Sequence, residues 1–186
     1  MSKGVWITIG VVVVLALVLI SGYNSLVNLN ENVDGKWSQI ENQLQRRADL
    51  IPNLVNTVKG YAAHEQEIFT QLADARAKMA GATSVAEAAQ ADQAMNSALS
   101  RLLAVVENYP TLKADANFRQ LQDELAGTEN RLATARKDYN DAVQSYNATI
   151  KRFPTNIYAG IFGFKDREYF RAEEEAKTVP NVDFSK

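Results

Sequence analysis

Residues 4–22 read GVWITIGVVVVLALVLISG, nineteen positions without a charge. As a helix this run is about 28 Å long, close to the hydrocarbon thickness of a bilayer. It has no polar face, which argues against the core helix of a small domain. Trp6 and Tyr23 stand near its two ends, where amphipathic rings favour the membrane interface. Lys3 resembles the charged start of a signal peptide, but the following LISGYNS lacks a small-x-small cleavage pattern. The sequence contains no cysteine to carry a lipid. The run therefore reads as a retained anchor over 4–23 behind a flank of 1–3. Lys3 and the α-amine precede it and no cation follows until Lys36. By the positive-inside rule the N-terminus is cytoplasmic and the body external, in a bacterium periplasmic, on the cytoplasmic membrane.

Beyond the anchor, apolar residues recur at alternating steps of three and four, the spacing of helices packed nearly parallel. The first seam runs Leu26, Leu29, Val33, Trp37, Ile40, Leu44, Arg47, Ile51, Leu54, Val58, Tyr61, then weakens through Glu65, Ile68, Leu72, Ala75 and Met79. Gly81 after Lys78 closes it. SVAE at 84–87 has the form of a capping box. It opens a second helix with Ala88, Ala91, Met95, Leu99, Leu102, Val106 and Tyr109 on one face, stopped by Pro110. A third begins near Asp115, with Phe118, Leu121, Leu125, Thr128, Leu132, Ala135, Tyr139, Ala142, Tyr146, Thr149 and Phe153 as its seam. The short links at 81–83 and 110–114 predict antiparallel neighbours. The fold class is all-α: a transmembrane helix continuing into an elongated antiparallel bundle over 24–154, with an aromatic-rich segment over 155–186.

Pro52 interrupts the first seam. Proline removes one helical hydrogen bond, which frees the carbonyl of Ala48, and it clashes with the preceding turn. The sevenfold spacing of Leu44, Ile51 and Val58 nevertheless keeps its phase, so the expectation is a kinked, continuous helix rather than a break. Arg46 or Arg47 is positioned to cover the freed carbonyl.

Little in the sequence points to chemistry. His64 is the sole histidine; HEQEI lacks the second histidine of a zinc protease motif, so no metal site is expected. Neither a nucleophile elbow nor a phosphate loop is present, so no catalytic or cofactor-binding residue is expected. AEEEAK at 172–177 reads as a solvated face rather than a cation site. A net charge of −2 gives no footprint for nucleic acid. Arg47 falls on the seam near Arg46 and Asp49; a buried arginine needs a partner, and an ion pair to a carboxylate on a neighbouring helix is the expected one. Tyr139 and Tyr146 lie seven apart on one face, available to the core or to a subunit contact. In the aromatic segment Tyr158, Phe162 and Phe164 suit either a cap on the bundle or a contact with a partner, a sister subunit or a membrane. Counting three alternating long helices places that segment at the end of the bundle away from the membrane.

WSQIENQLQRRADLIPNLVNTVKGYAAHE (37–65), the long stretch from ENYPTLK to IKRFP (107–154), and YNSLV (23–27) together resemble the LemA family. The resemblance covers nearly the whole chain. It implies a membrane-anchored antiparallel helical bundle in bacteria. It carries over no catalytic residues and no cofactor, and it points to envelope proteins and a membrane protease system as partners. The expected function is a non-enzymatic, oligomeric scaffold or adaptor acting through protein contacts, with no nucleic acid involved. Two rivals remain: an enzyme with a site near Arg47, Asp49 and His64, and a membrane-remodelling protein driven by anchor and aromatic tail.

Overall fold

The structure, a computed structural model, describes residues 3–171, so AEEEAK lies outside the described residues. Those residues form six helices and no strand. They divide into two compact units, one of residues 3–40 with 135–169 and one of 41–134 with 170–171.

Helix α1 runs from Lys3 to Lys59 with Pro52 inside it. Ile51 and Val58 are 2 % and 0 % exposed, so one face stays inward across the proline. The carbonyl that Pro52 frees is covered, but by neither Arg46 nor Arg47. Arg76 Nε, from the next helix, donates to Ala48 O at 3.1 Å. Arg46 is exposed, and Arg47 is committed elsewhere.

A second correction concerns where the first helix ends. The seam predicts helix through Met79, yet α1 stops at Lys59 and α2 spans Gln66–Gly81. Gly60, a weak helix former, opens the link, and the amides of Tyr61 and Ala62 both turn back to Val58 O at 3.0 and 2.9 Å. The link is short enough for the three-four count to carry across it, so periodicity did not register the reversal. Ala62 and Phe69, rather than Tyr61 and Ile68, take the buried positions on its two sides.

The rest of the second unit follows from local signals. Helix α3, Val85–Val106, starts at the expected box: Ser84 Oγ accepts from Glu87 N at 3.2 Å. The return bond is displaced by one residue, with Thr83 N donating to the Glu87 carboxylate at 2.7 Å. That backbone donor, helped by the Thr83 hydroxyl, holds the Glu87 carboxyl below its usual range. The expected link at 110–114 is itself a short helix, α4 (Pro110–Ala114), with proline in its first turn, where no donor is needed. Asp115 caps α5 (Ala116–Lys151) by accepting from Phe118 N at 2.9 Å. Leu44, Leu54, Leu72, Met95, Leu102, Leu112, Phe118 and Leu132 fill the core of this unit.

In the first unit, α5 returns along α1. Lys36 Nζ meets Asp138 Oδ2 at 3.1 Å, and Trp37 lies 5.6 Å from Tyr139 between ring centroids. Beyond the end of α5, past the turn, Tyr158 reaches Gly22. Helix α5 ends before the expected Phe153. That residue is 81 % exposed, and Ile150 holds the last buried seam position. The Phe153–Pro154 peptide is cis, and α6 (Thr155–Ile161) follows it.

This arrangement overturns the expected placement of the aromatic segment. The sequence count had three long helices; α1, α2, α3 and α5 make four, so the last runs back. Its C-terminal extension lies beside the end of the apolar run, with Phe162 and Phe164 ring centroids 4.9 and 5.9 Å from Tyr23.

Candidate functional site

Two constellations stand out. The first, in the second unit, is centred on Arg47. This side chain is 4 % exposed on α1 and is engaged from two other helices. Its Nη1 donates to Asp92 Oδ1 at 2.9 Å and to Glu129 Oε2 at 2.5 Å, and Nη2 donates to Asn96 Oδ1 at 2.5 Å. Asp92 is itself 3 % exposed, whereas the Glu129 side chain retains 38 % of its surface. Burying a charge this deeply is costly unless it is paired and hydrogen-bonded, and both conditions are met. A cleft of about 390 Å³ opens beside the cluster, lined by Arg47, Asn96 and Glu129 with Leu54, Leu99 and Leu103.

The guanidinium thus serves as a shared donor that ties α1 to α3 and α5. Two carboxylates already neutralise it, so it can clamp an anion only by giving them up. Asp49 takes no part: it is exposed and accepts from Gln45 Nε2 at 2.9 Å. His64 is exposed in the link after α1. Of the candidate enzyme residues, Arg47 is thus buried among its partners while Asp49 and His64 are exposed. Among the described residues, no group of three or more histidine or acidic side chains is placed to hold a metal.

The second constellation, in the first unit, gathers the tyrosines and the aromatic segment. Tyr139 and Tyr146 are 3 % and 1 % exposed, which removes them as a surface for a subunit contact. The Tyr139 hydroxyl donates to Glu168 O at 2.8 Å. Burial first, then the Glu168 charge, pushes its phenol up to about 12. Burial and Asp166 raise Tyr146 in the same way. Asn147 holds the extended chain after α6 through both sides of one residue: Nδ2 donates to Arg167 O at 2.9 Å, and Arg167 N donates to Oδ1 at 2.8 Å. The Arg167 side chain pairs with Asp34 on α1, and Lys151 pairs with Asp166 at 2.9 Å. Tyr158 is buried against Gly22, where an added Cβ would stand 2.6 Å from Tyr158 Cζ; only glycine permits this approach. Phe164 is half-buried and Phe162 exposed.

Sequence reasoning missed Asp92, Asn96, Glu129, Asn147 and Tyr23 as members of these constellations, and Arg76 as the donor to Ala48 O. A signal existed for the first two. Asp92 and Asn96 stand four apart on the apolar face of α3, next to Ala88, Met95 and Leu99, where a polar pair demands a partner.

Comparison with known proteins bears on the same region. The family model described as LemA family matches residues 36–184. The chain belongs to the LemA family. That match begins after the apolar run and takes in both constellations apart from the residues on the early part of α1. Relatives match along most of the chain. Magnetosome protein MamQ 2 of Paramagnetospirillum magneticum is 34 % identical over 92 % of this chain and 72 % of its own length. Magnetosome protein MamQ of Magnetospirillum gryphiswaldense is 30 % identical over 88 % of this chain and 70 % of its own. Protein LemA of Metamycoplasma hominis is 24 % identical over 90 % and 76 %. This LemA-family chain is thus an all-α protein with one N-terminal helix long and apolar enough to cross a membrane.

Proposed function

We propose that this chain is a single-pass, membrane-anchored helical scaffold of the bacterial envelope. It is held in the cytoplasmic membrane with its body outside, oligomeric, and not an enzyme. One observation carries the reading: the first part of α1 is apolar and unburied, and its later part is packed in the core. Its apolar stretch is wholly unburied, while further along the same unbroken helix Val33, Ile40, Ile51 and Val58 are packed. A helix so divided uses its first part in lipid and its second to hold helix faces for partners. Engagement of both terminal nitrogens of Arg47 by Asp92, Glu129 and Asn96 favours a structural over a catalytic role for that cluster. The likeness to proteins named for a cellular structure, the magnetosome, rather than for a reaction supports an organising role. Partners are other envelope or membrane proteins, with a membrane protease system among them.

In-cell crosslinking of the full chain followed by pull-down tests this reading. The expected result is a ladder of self-crosslinked species together with a reproducible set of membrane proteins. Recovery of uncrosslinked monomer alone refutes it. Turnover of a small molecule by the purified chain, lost in His64→Ala with the fold intact, would favour the enzyme. A cysteine at exposed Thr134 fixes the topology, since the native chain has none: labelling only after membrane rupture would put the body inside.

A further inference from the structure

Beyond residues 3–20, seven large apolar side chains are exposed among the described residues: Tyr23, Tyr61, Leu103, Phe153, Ile157, Ile161 and Phe162. Five of the seven belong to one patch, formed by Tyr23 and the turn that carries α6. Phe153, Ile157, Ile161 and Phe162 are 81, 56, 74 and 56 % exposed. Ile157 and Ile161 stand four apart on one face of α6, and Tyr158 and Ala159 bury the other face. The patch has a fixed address. Tyr158 closes on Gly22, the last residue of the apolar run, and Phe162 packs edge-on against Tyr23. Exposed cations flank it, Arg152 before α6 and Lys165 after it, while Lys151 is paired with Asp166.

We infer that the α6 turn is a second membrane contact, seated in the boundary between headgroups and acyl chains of the bilayer that α1 spans. This rests on the anchor reading above. If residues 4–22 cross the membrane, Gly22 and Tyr23 lie at its surface, and α6 lies at the same depth. An apolar face beside basic side chains is the pattern of segments that lie in that boundary, their apolar side sunk about 5–10 Å. Aromatic rings such as Tyr23 and Phe162 favour the same layer. In water, exposed Ile161 and Phe153 would be an aggregation liability; in the boundary they contribute binding free energy, and the cations meet lipid phosphates. The turn then fixes the height and orientation of the first unit on the membrane, which one spanning helix alone leaves free.

The test uses the full-length chain in vesicles of phosphatidylcholine and phosphatidylglycerol, with single cysteines carrying a polarity-sensitive fluorophore. Ile161→Cys and Phe153→Cys report on the turn, Leu15→Cys on the span and Thr134→Cys on water. All four positions are exposed, so labelling leaves the core intact. Lipid-borne quenchers should quench the Ile161 and Phe153 probes about threefold or more above the Thr134 probe, as boundary insertion requires. Quenching at Leu15 without quenching at Ile161 or Phe153 overturns the inference and leaves the anchor standing. Absence of quenching at Leu15 overturns the anchor reading itself. Disulfide-linked dimers of the unlabelled Ile161→Cys chain, with no lipid quenching of the labelled one, assign the patch to a second copy and also overturn it.

Discussion

Arg76 should be needed because of Pro52, and a double-mutant cycle measures that dependence. Proline leaves Ala48 O without its helical donor, and Arg76 Nε supplies one from α2 at 3.1 Å. Ala48 is 5 % exposed, so water is a poor substitute. A hydrogen bond from a charged donor contributes about 1.5–3 kcal/mol. Because Arg76 itself is exposed, the lower end applies, and Arg76→Met should cost about 1.5 kcal/mol. In Pro52→Ala the residue 52 amide is restored and points at the same carbonyl. Arg76→Met should then cost only about 0.5 kcal/mol, a coupling of about 1 kcal/mol. Urea denaturation of the four full-length proteins in detergent, followed by helical circular dichroism, gives the energies. Equal costs of Arg76→Met in both backgrounds would refute the reasoning, because Arg76 would then act by packing alone.

Removal of Arg47 should be severe, because it takes the guanidinium away from the buried Asp92 carboxylate. Arg47→Met should lose about 3–5 kcal/mol in the same assay, and adding Asp92→Leu should recover most of that loss. Gly22→Val places a side chain where Tyr158 sits and should lift α6 from α1. Trypsin cleavage after Arg152 and Lys165 should then accelerate about tenfold, equivalent to about 1.4 kcal/mol of local stability. Tyr139 has a folded phenol pKa, about 12, above its ordinary value of about 10. The folded state therefore keeps its proton where the unfolded state loses it, and this contribution to stability is complete below pH 10 and falls away between about 10 and 12. Tyr139→Phe should remove that part of the alkaline loss, and the phenolate absorbance of the native chain should show the late titration.

The uncharged run, the seams, the capping box and the continuity of α1 through Pro52 were all legible, because each depends on residues near one another in the chain. The turn at 60–65 was not. It lies where the apolar count merely weakens, and no proline or glycine pair marks it. Missing one reversal inverted the direction assigned to α5 and so placed the aromatic segment at the opposite end. Arg47 declared its need for a carboxylate, but the choice of Asp92 and Glu129 depends on how α3 and α5 register against α1, which periodicity leaves open. Arg76 was illegible for the same reason. The sequence showed the freed carbonyl and two nearby arginines, and the side chain that reaches it comes from 28 positions farther along.

The pair of hydrogen bonds between Asn147 and the Arg167 main chain has a consequence for the way this protein tolerates change. A helix consumes its own amides and ordinarily has none to offer an extended neighbour; one carboxamide here supplies a single rung of ladder. The rung recognises main chain and is blind to the side chain at 167, which can be exchanged at no cost to it. Length is another matter. Inserting or deleting one residue between Ile150 and Arg167 would present a different peptide group to Asn147, so in this loop spacing is the constrained quantity.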